Sequence, residues 1–122
     1  MSDGKSILII DDEKDLCLLL KDYFVRNNYS VLIAHTLQGG LQQLHTFKPD
    51  FLLLDNNLPD GAGWNAAPQL AVEYPTLFIL FISAFRFLAP EMPDGAYYAV
   101  MEKPIRFADL DVLFAEKMLL TT

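Results

Sequence analysis

Five short apolar runs divide the chain, and segments with helical periodicity or turn chemistry fill most of the gaps between them. The runs are Ile7-Leu8-Ile9-Ile10, Ser30-Val31-Leu32-Ile33-Ala34, residues 50–55, Leu77-Phe78-Ile79-Leu80-Phe81-Ile82 and residues 97–101. Each has the length of a strand. The first, third and fourth lack polar alternation, as expected of strands covered on both faces. After the first run, Leu16, Leu19, Leu20, Tyr23 and Phe24 recur at helical spacing, with Cys17 beside the stripe, and Asn27-Asn28 stops the helix. Thr36 is placed to cap a second helix through residue 47, in which Gly39 and Gly40 each cost about 1 kcal/mol against Ala. A third helix is predicted between residues 64 and 74, its regular part starting near Ala67 with Pro68 in the first turn. A last helix runs from Arg106 with Phe107, Leu110, Phe114 and Met118 on one face. Strands alternating with helices in this way predict a doubly wound, five-stranded parallel α/β sheet with helices on both faces.

One crossover breaks the pattern. Between the fourth and fifth runs the chain reads Phe85-Arg86-Phe87-Leu88-Ala89-Pro90-Glu91-Met92-Pro93-Asp94-Gly95. Two prolines three apart, followed by Asp-Gly, cannot sustain a long helix, so one turn or an irregular loop is expected. Phe85, Phe87 and Leu88 exceed what a short loop needs to bury, so they either line a partner or dimer surface or pack onto the sheet.

With 122 residues the chain reads as a single domain, residues 1–122, with its core at about 5–120 and no effector domain within it. The net charge of −7 disfavours a nucleic-acid surface, which needs clustered Lys and Arg, and favours a cation site. One cysteine allows no internal disulfide, the first residues lack a signal-peptide pattern, and no apolar run approaches a membrane span. These features predict a cytoplasmic chain with no membrane contact.

The strand ends carry the chemistry. Asp11 and Asp12 follow the first strand, Asp55 closes the third, Ser83 follows the fourth and Lys103 the fifth. In a doubly wound parallel sheet these ends lie along one edge, and the first and third strands flank the switch point, so Asp12 and Asp55 become neighbours. Two unit charges about 4 Å apart interact by roughly 4 kcal/mol at an effective dielectric of 20. Three carboxylates so placed would shift upward in pKa or strain the fold, and a divalent cation removes that repulsion. With Lys103 for phosphate oxygens and the Ser83 hydroxyl as donor, the set suits phosphoryl transfer to a carboxylate.

Asp11-Asp12-Glu13, Leu53-Leu54-Asp55, Leu58-Pro59-Asp60-Gly61, Ser83-Ala84 and Lys103-Pro104, in this order, resemble the receiver domain of bacterial two-component response regulators. The resemblance implies the flavodoxin-like strand order 2-1-3-4-5. It further implies that Asp55 accepts a phosphoryl group from a sensor histidine kinase or phosphotransfer protein. Mg2+ would be held by Asp12 directly, by Asp11 mostly through water, by Asp55, and by the Asn57 backbone carbonyl. Ser83 would hydrogen-bond the phosphoryl group, Lys103 would pair with it, and the Lys103-Pro104 bond would be cis. Asn57 and Phe85 would tune its loss to water. An unknown effector, or a second copy of the chain, would read the outcome. Such a domain is a switch that catalyses its own phosphoryl transfer and dephosphorylation rather than an enzyme acting on other substrates.

Two features depart from the pattern. Receivers usually carry an aromatic residue three before the lysine, and Val100 stands there; the fourth helix is degraded. These favour an alternative, a degenerate receiver that binds partners without phosphorylation, whereas Asp12, Asp55, Ser83 and Lys103 favour the switch. A Mg2+-dependent phosphohydrolase with an Asp nucleophile is a further alternative, but it would need an acid at Asn57, whose amide cannot protonate a leaving group. A flavin carrier would meet repulsion between its phosphate and Asp11-Asp12-Glu13. Taken singly, the residues have plainer readings: helix cap for the acids, turn hydroxyl for Ser83, solvated lysine for Lys103. His35 and His45 read as surface residues, Cys17 as a packed residue of the first helix, and Trp64 as packing near the loop after Asp55.

Overall fold

Five strands pair in parallel. They are β1 (Ser6–Ile10), β2 (Ser30–Ala34), β3 (Phe51–Asp55), β6 (Phe78–Ser83) and β7 (Tyr98–Glu102), in the order β2-β1-β3-β6-β7. With the short hairpin strands β4 (Asn57–Leu58) and β5 (Gly61–Ala62) set aside, this is the predicted order 2-1-3-4-5. The structure, a computed structural model, describes residues 4–84 and 89–121, with side chains in the last helix described through Lys117. Phe85, Phe87, Leu88 and the Met118 side chain therefore lie outside the described residues.

Period-two alternation splits the sheet into two apolar faces. Ile7, Ile9, Phe51, Leu53, Phe78, Leu80 and Ile82 pack against α1 (Lys14–Arg26) and α4 (Phe107–Thr121). Leu8, Ile10, Leu52, Leu54, Ile79 and Phe81 pack against α2 (Leu37–Phe47), the 3-10 turn Gly63–Ala66 and α3 (Ala67–Glu73). Every residue of β3 and β6 is buried, as their unbroken apolar sequence predicts. Each such Leu or Ile contributes on the order of 1.5–3 kcal/mol by leaving water. The aromatic residues Phe24, Tyr29, Phe51, Phe78 and Phe114 meet mostly edge-on, with Phe51 and Phe78 paired as the first residues of their strands. That cluster fills the amino-terminal end of the sheet and leaves the carboxyl edge to polar groups.

The helices follow the sequence with local corrections. In α1 the buried positions are Cys17, Leu20 and Phe24, while Leu19 is 58% exposed. The stripe is thus turned toward Cys17, which lies in the core rather than beside it. Thr36 caps α2, its hydroxyl accepting from the Gly39 N–H at 3.1 Å. Pro68 stands in the first turn of α3, as expected. In α4, Leu110 and Phe114 are buried and Phe107 stacks on Tyr23 at the rim. Residues 89–97 form no helix, and a turn at Asp94-Gly95, closed by Ala96 N–H to Pro93 C=O at 3.1 Å, leads into β7. Among the described residues, no helix is long and apolar enough to cross a membrane.

Gly40 looks like a propensity defect in the sequence but is a packing requirement. A methyl group at this position would run into the side chain of fully buried Ile10, so α2 lies on β1 because Gly40 is small. Gly40→Ala is expected to lower unfolding free energy by about 1–3 kcal/mol through overpacking. Helix propensity alone would raise it by about 1 kcal/mol. Urea denaturation decides between them, and an unchanged or higher midpoint would show that α2 can ride off the sheet.

Candidate functional site

Strand register brings the polar residues together. Ile10 pairs with Leu54, so Asp11 and Asp55 emerge side by side at the carboxyl edge. Asp55 in turn pairs with Ile82, and Ser83 with Glu102, which sets Ser83 and Lys103 along the same edge. The Lys103 N–H donates to the Ser83 carbonyl at 2.7 Å, fixing the backbone from which the lysine side chain reaches inward. The Lys103-Pro104 bond is cis.

Lys103 Nζ lies 3.0 Å from Asp11 Oδ2, 3.3 Å from Glu13 Oε1 and 3.6 Å from Asp55 Oδ1. Asp11 is fully buried; its Oδ1 accepts from the Glu13 N–H at 2.8 Å, and its Oδ2 has the Lys103 ammonium as its partner. Asp12 is exposed, and Asp55 is buried. One oxygen each of Asp11, Asp12 and Asp55 can be chosen so that all three lie within 4.8 Å of one another, a spacing that can hold a metal ion. A pocket of about 440 Å³ opens beside them, lined by Asp12 and Asp55 together with Asn57, Leu58, Ser83, Ala84 and Lys103.

The electrostatics follow from this crowding. Burial, then the neighbouring Asp11 carboxylate, pushes Asp55 up to about 6, against the pull of Lys103. Burial also raises Asp11, outweighing the Glu13 N–H and Lys103. Desolvation works to lower Lys103, but its hydrogen bond and charge contact with Asp11, with Asp55 beyond, raise it above the ordinary lysine value. The ammonium is therefore fixed in its charged form, while three carboxylates (Asp11, Glu13 and Asp55) face it and Asp12 adds a fourth beside Asp11 and Asp55. This donor set fits a hard divalent cation, which takes oxygen ligands and neutralises the surplus.

Among the described residues, all the site residues named from the sequence meet at this edge. Asn57 sits on the β4–β5 hairpin, an element that sequence reading missed because its strands are two residues long. Gly63 N–H donates to Asn56 C=O, and a methyl on Gly63 would run into the Asp55 carbonyl, so the chain returns directly beside Asp55. Trp64 is buried there, its indole Nε1 donating to Leu54 C=O at 3.0 Å and its ring set edge-on to Phe81. His35 is half-buried, not a surface residue: its Nδ1 lies 3.0 Å from the Asp11 carbonyl. Its position just after β2 was the available signal, since the end of that strand shares the edge. Glu13, read as part of the Asp-Asp-Glu motif, has a definite partner in Lys103. Cys17 donates to the Asp11 carbonyl at 3.3 Å, and burial pushes its thiol up to about 12. Val100 pairs with Phe81 and is 40% exposed, whereas the Tyr98 ring meets Phe81 edge-on.

A family model described as the response regulator receiver domain matches residues 7–114. The alkaline phosphatase synthesis transcriptional regulatory protein PhoP of Bacillus subtilis is 34% identical over 81 residues, covering 66% of this chain and 34% of that protein. The chain spans about a third of the length of the curated relatives it matches. A CheY-like receiver domain from Methanospirillum hungatei superposes with a TM-score of 0.82 at 24% identity, covering 93% of this chain and 92% of that one. The response regulator TrrA of Thermotoga maritima, solved in complex with Mg2+-BeF, superposes at 0.71 with 22% identity, covering 88% and 96%.

 The complex of histidine kinase ThkA with TrrA superposes with a TM-score of 0.77 at 22% identity, covering 92% of this chain and 97% of the matched chain. At such identities the structural likenesses speak for the fold.

The raised Asp55 sets a pH dependence. Its native value of about 6 lies above the ordinary 3.8, so between these values the folded state binds more protons than the unfolded state. Stability of the metal-free protein therefore falls as pH rises from about 4 to 6, and the cost is complete above that window. Asp55→Asn removes the charge and is expected to stabilise the metal-free protein by about 1–3 kcal/mol at pH 7–8. The gain should fade toward pH 4. Denaturant unfolding across pH checks this, and a gain independent of pH would assign the effect to packing.

Proposed function

The chain belongs to the response regulator receiver family, and on that premise we propose that Asp55 is the phosphoacceptor of a Mg2+-dependent signalling switch. The observation that carries the reading is the convergence of Asp11, Asp12 and Asp55 within 4.8 Å beside the Lys103 ammonium, 3.6 Å from Asp55 Oδ1. The donor is a phosphohistidine of a sensor kinase or phosphotransfer protein. The Mg2+-BeF complex of TrrA and its complex with ThkA support this choice of cofactor and partner.

Asp55, with a pKa of about 6, is mostly a carboxylate at neutral pH and can act as a nucleophile. One of its oxygens attacks phosphorus; the O–P bond forms as the P–N bond breaks, and the imidazole leaves with the electron pair. Asp12, Asp11, Asp55 and the Asn57 carbonyl would hold Mg2+, and when bound the ion would neutralise carboxylate charge and act as a Lewis acid toward the phosphoryl group. Lys103 moves its charge from Asp55 toward the incoming phosphoryl oxygens, while Asp11 and Glu13 keep it in place. Ser83 donates its hydroxyl to the same group. Water later attacks phosphorus, the bond to Asp55 breaks, and phosphate leaves. The domain works in the cytoplasm, makes no contact with nucleic acid or membrane, and passes its state to an effector or a second copy.

A second reading, a receiver that binds partners without phosphorylation, is favoured by Val100 and by the absence of helix in residues 89–97. The two part on one experiment. Incubation with acetyl phosphate and Mg2+ is expected to give a phosphate adduct by intact mass, lost in Asp55→Asn and on chelation, and reduced in Lys103→Ala. A wild-type chain that stays unmodified under these conditions and with a phosphorylated kinase would favour the binding module.

A further inference from the structure

Asp60 lies outside the cluster, yet it is tied to another element. Its Oδ1 accepts from the Leu37 N–H at 2.7 Å and its Oδ2 from the Gln38 N–H at 2.9 Å. Thr36 Oγ1 takes the next donor, Gly39 N–H. The first three free N–H groups of α2 are thus satisfied, two of them by a residue more than twenty positions away. A local cap would have sufficed for the helix alone. The same carboxylate fixes the tip of the β4–β5 hairpin, where Gly61 takes φ +145°, a conformation that suits glycine.

The base of the hairpin is held separately. Gly63 N–H donates to the Asn56 carbonyl at 3.0 Å and Trp64 N–H to Asn56 Oδ1 at 3.2 Å. Between base and tip run Asn57 and Leu58, paired with Ala62 and Gly61, and all four line the pocket over Asp55. Anchored at its base alone, a hairpin with two-residue strands has little to hold it at one angle to the pocket.

We infer that Asp60 is a positioning residue: by bonding the hairpin tip to the amino end of α2, it holds the Asn57 backbone and the pocket wall in place for metal binding and phosphoryl transfer. The inference rests on the phosphoacceptor reading for its consequence, but the clamp itself can be tested without it.

The test compares Asp60→Ala with Thr36→Ala in the full chain. Both remove cap hydrogen bonds from α2, and only the first releases the hairpin. Mg2+ titration is followed by fluorescence of Trp64, the single tryptophan, which is bonded to Leu54 and Asn56 at the hairpin base. Asp60→Ala is expected to raise the Mg2+ Kd by about tenfold, the usual scale for losing an outer support of a metal site. Amide exchange across residues 57–63 should accelerate in the same variant. Thr36→Ala should lower the thermal midpoint while leaving both readouts unchanged, and Asp60→Asn, which keeps one acceptor oxygen, should fall between. Equal effects of Asp60→Ala and Thr36→Ala on Kd and on hairpin exchange would reduce Asp60 to a helix cap and overturn the inference. A wild-type chain that binds no Mg2+ and takes no phosphate would overturn the phosphoacceptor reading instead, with hairpin exchange still deciding whether Asp60 is a clamp.

Discussion

The Lys103 ammonium sits among carboxylates that the sheet edge would otherwise tolerate poorly, and the arrangement of the site follows from that contact. Asp11 is fully buried at the end of a fully apolar strand, and Asp55 is nearly so. A buried carboxylate without a partner costs several kcal/mol. Lys103, 3.0 Å from Asp11 and 3.6 Å from Asp55, supplies one positive charge. Burial first, and then the neighbouring Asp11 carboxylate, outweigh the Lys103 charge, which is why Asp55 stays raised to about 6 rather than depressed as in a simple ion pair. The residual repulsion is what a divalent ion would relieve: the fold supplies a preformed set of oxygens whose charge is incompletely balanced.

That arrangement is possible because the apolar and polar work of the sheet is divided along the strands. Phe51 and Phe78 begin β3 and β6, and with Phe24, Tyr29 and Phe114 they fill the amino-terminal end. The carboxyl ends are then free to present Asp55 and Ser83. Close approaches sharpen the geometry. Gly40 lets α2 lie against Ile10, and Gly63 lets the chain pass beside the Asp55 carbonyl. In both places the side chain is missing because backbone or a buried residue needs the room.

Much of this was legible in the sequence because it depends on period and position. The five runs gave the strands to within a residue or so, and their ends gave the acids, Ser83 and Lys103. What was not legible depends on contacts between distant segments. Helical spacing included Leu19 in the buried stripe, whereas the sheet face selected Cys17 in its place. The β4–β5 hairpin is too short to carry a period, and Asp60 looked like an ordinary turn residue because its partners, Leu37 and Gln38, belong to another helix. His35 read as surface for the same reason: a single ring bonded to the Asp11 carbonyl leaves no pattern along the chain.

The site and its means of reporting stand in different physical regimes. Asp11, Asp55 and Lys103 are fixed by two buried strands, a backbone bond to Ser83 and mutual charge, so their geometry is set several times over. The neighbouring edge strand β7 has no such redundancy: Tyr98 and Val100 are each 40% exposed, and residues 89–97 bring no helix onto them. Val100 has neither the ring nor the hydroxyl with which an aromatic residue could follow Ser83. The ring that does face the sheet, Tyr98, meets Phe81, which meets Trp64, which is bonded to Leu54 just before Asp55. Contact alone does not make a route for coupling, because coupling requires an element with two arrangements that both ends bias. The hairpin held between Trp64 and Asp60 lines the same pocket as Asp55, and its tip is held by Asp60, outside the apolar core. On the proposed phosphoacceptor reading, a signal from Asp55 is therefore better sought in the hairpin and α2 than in the edge strand.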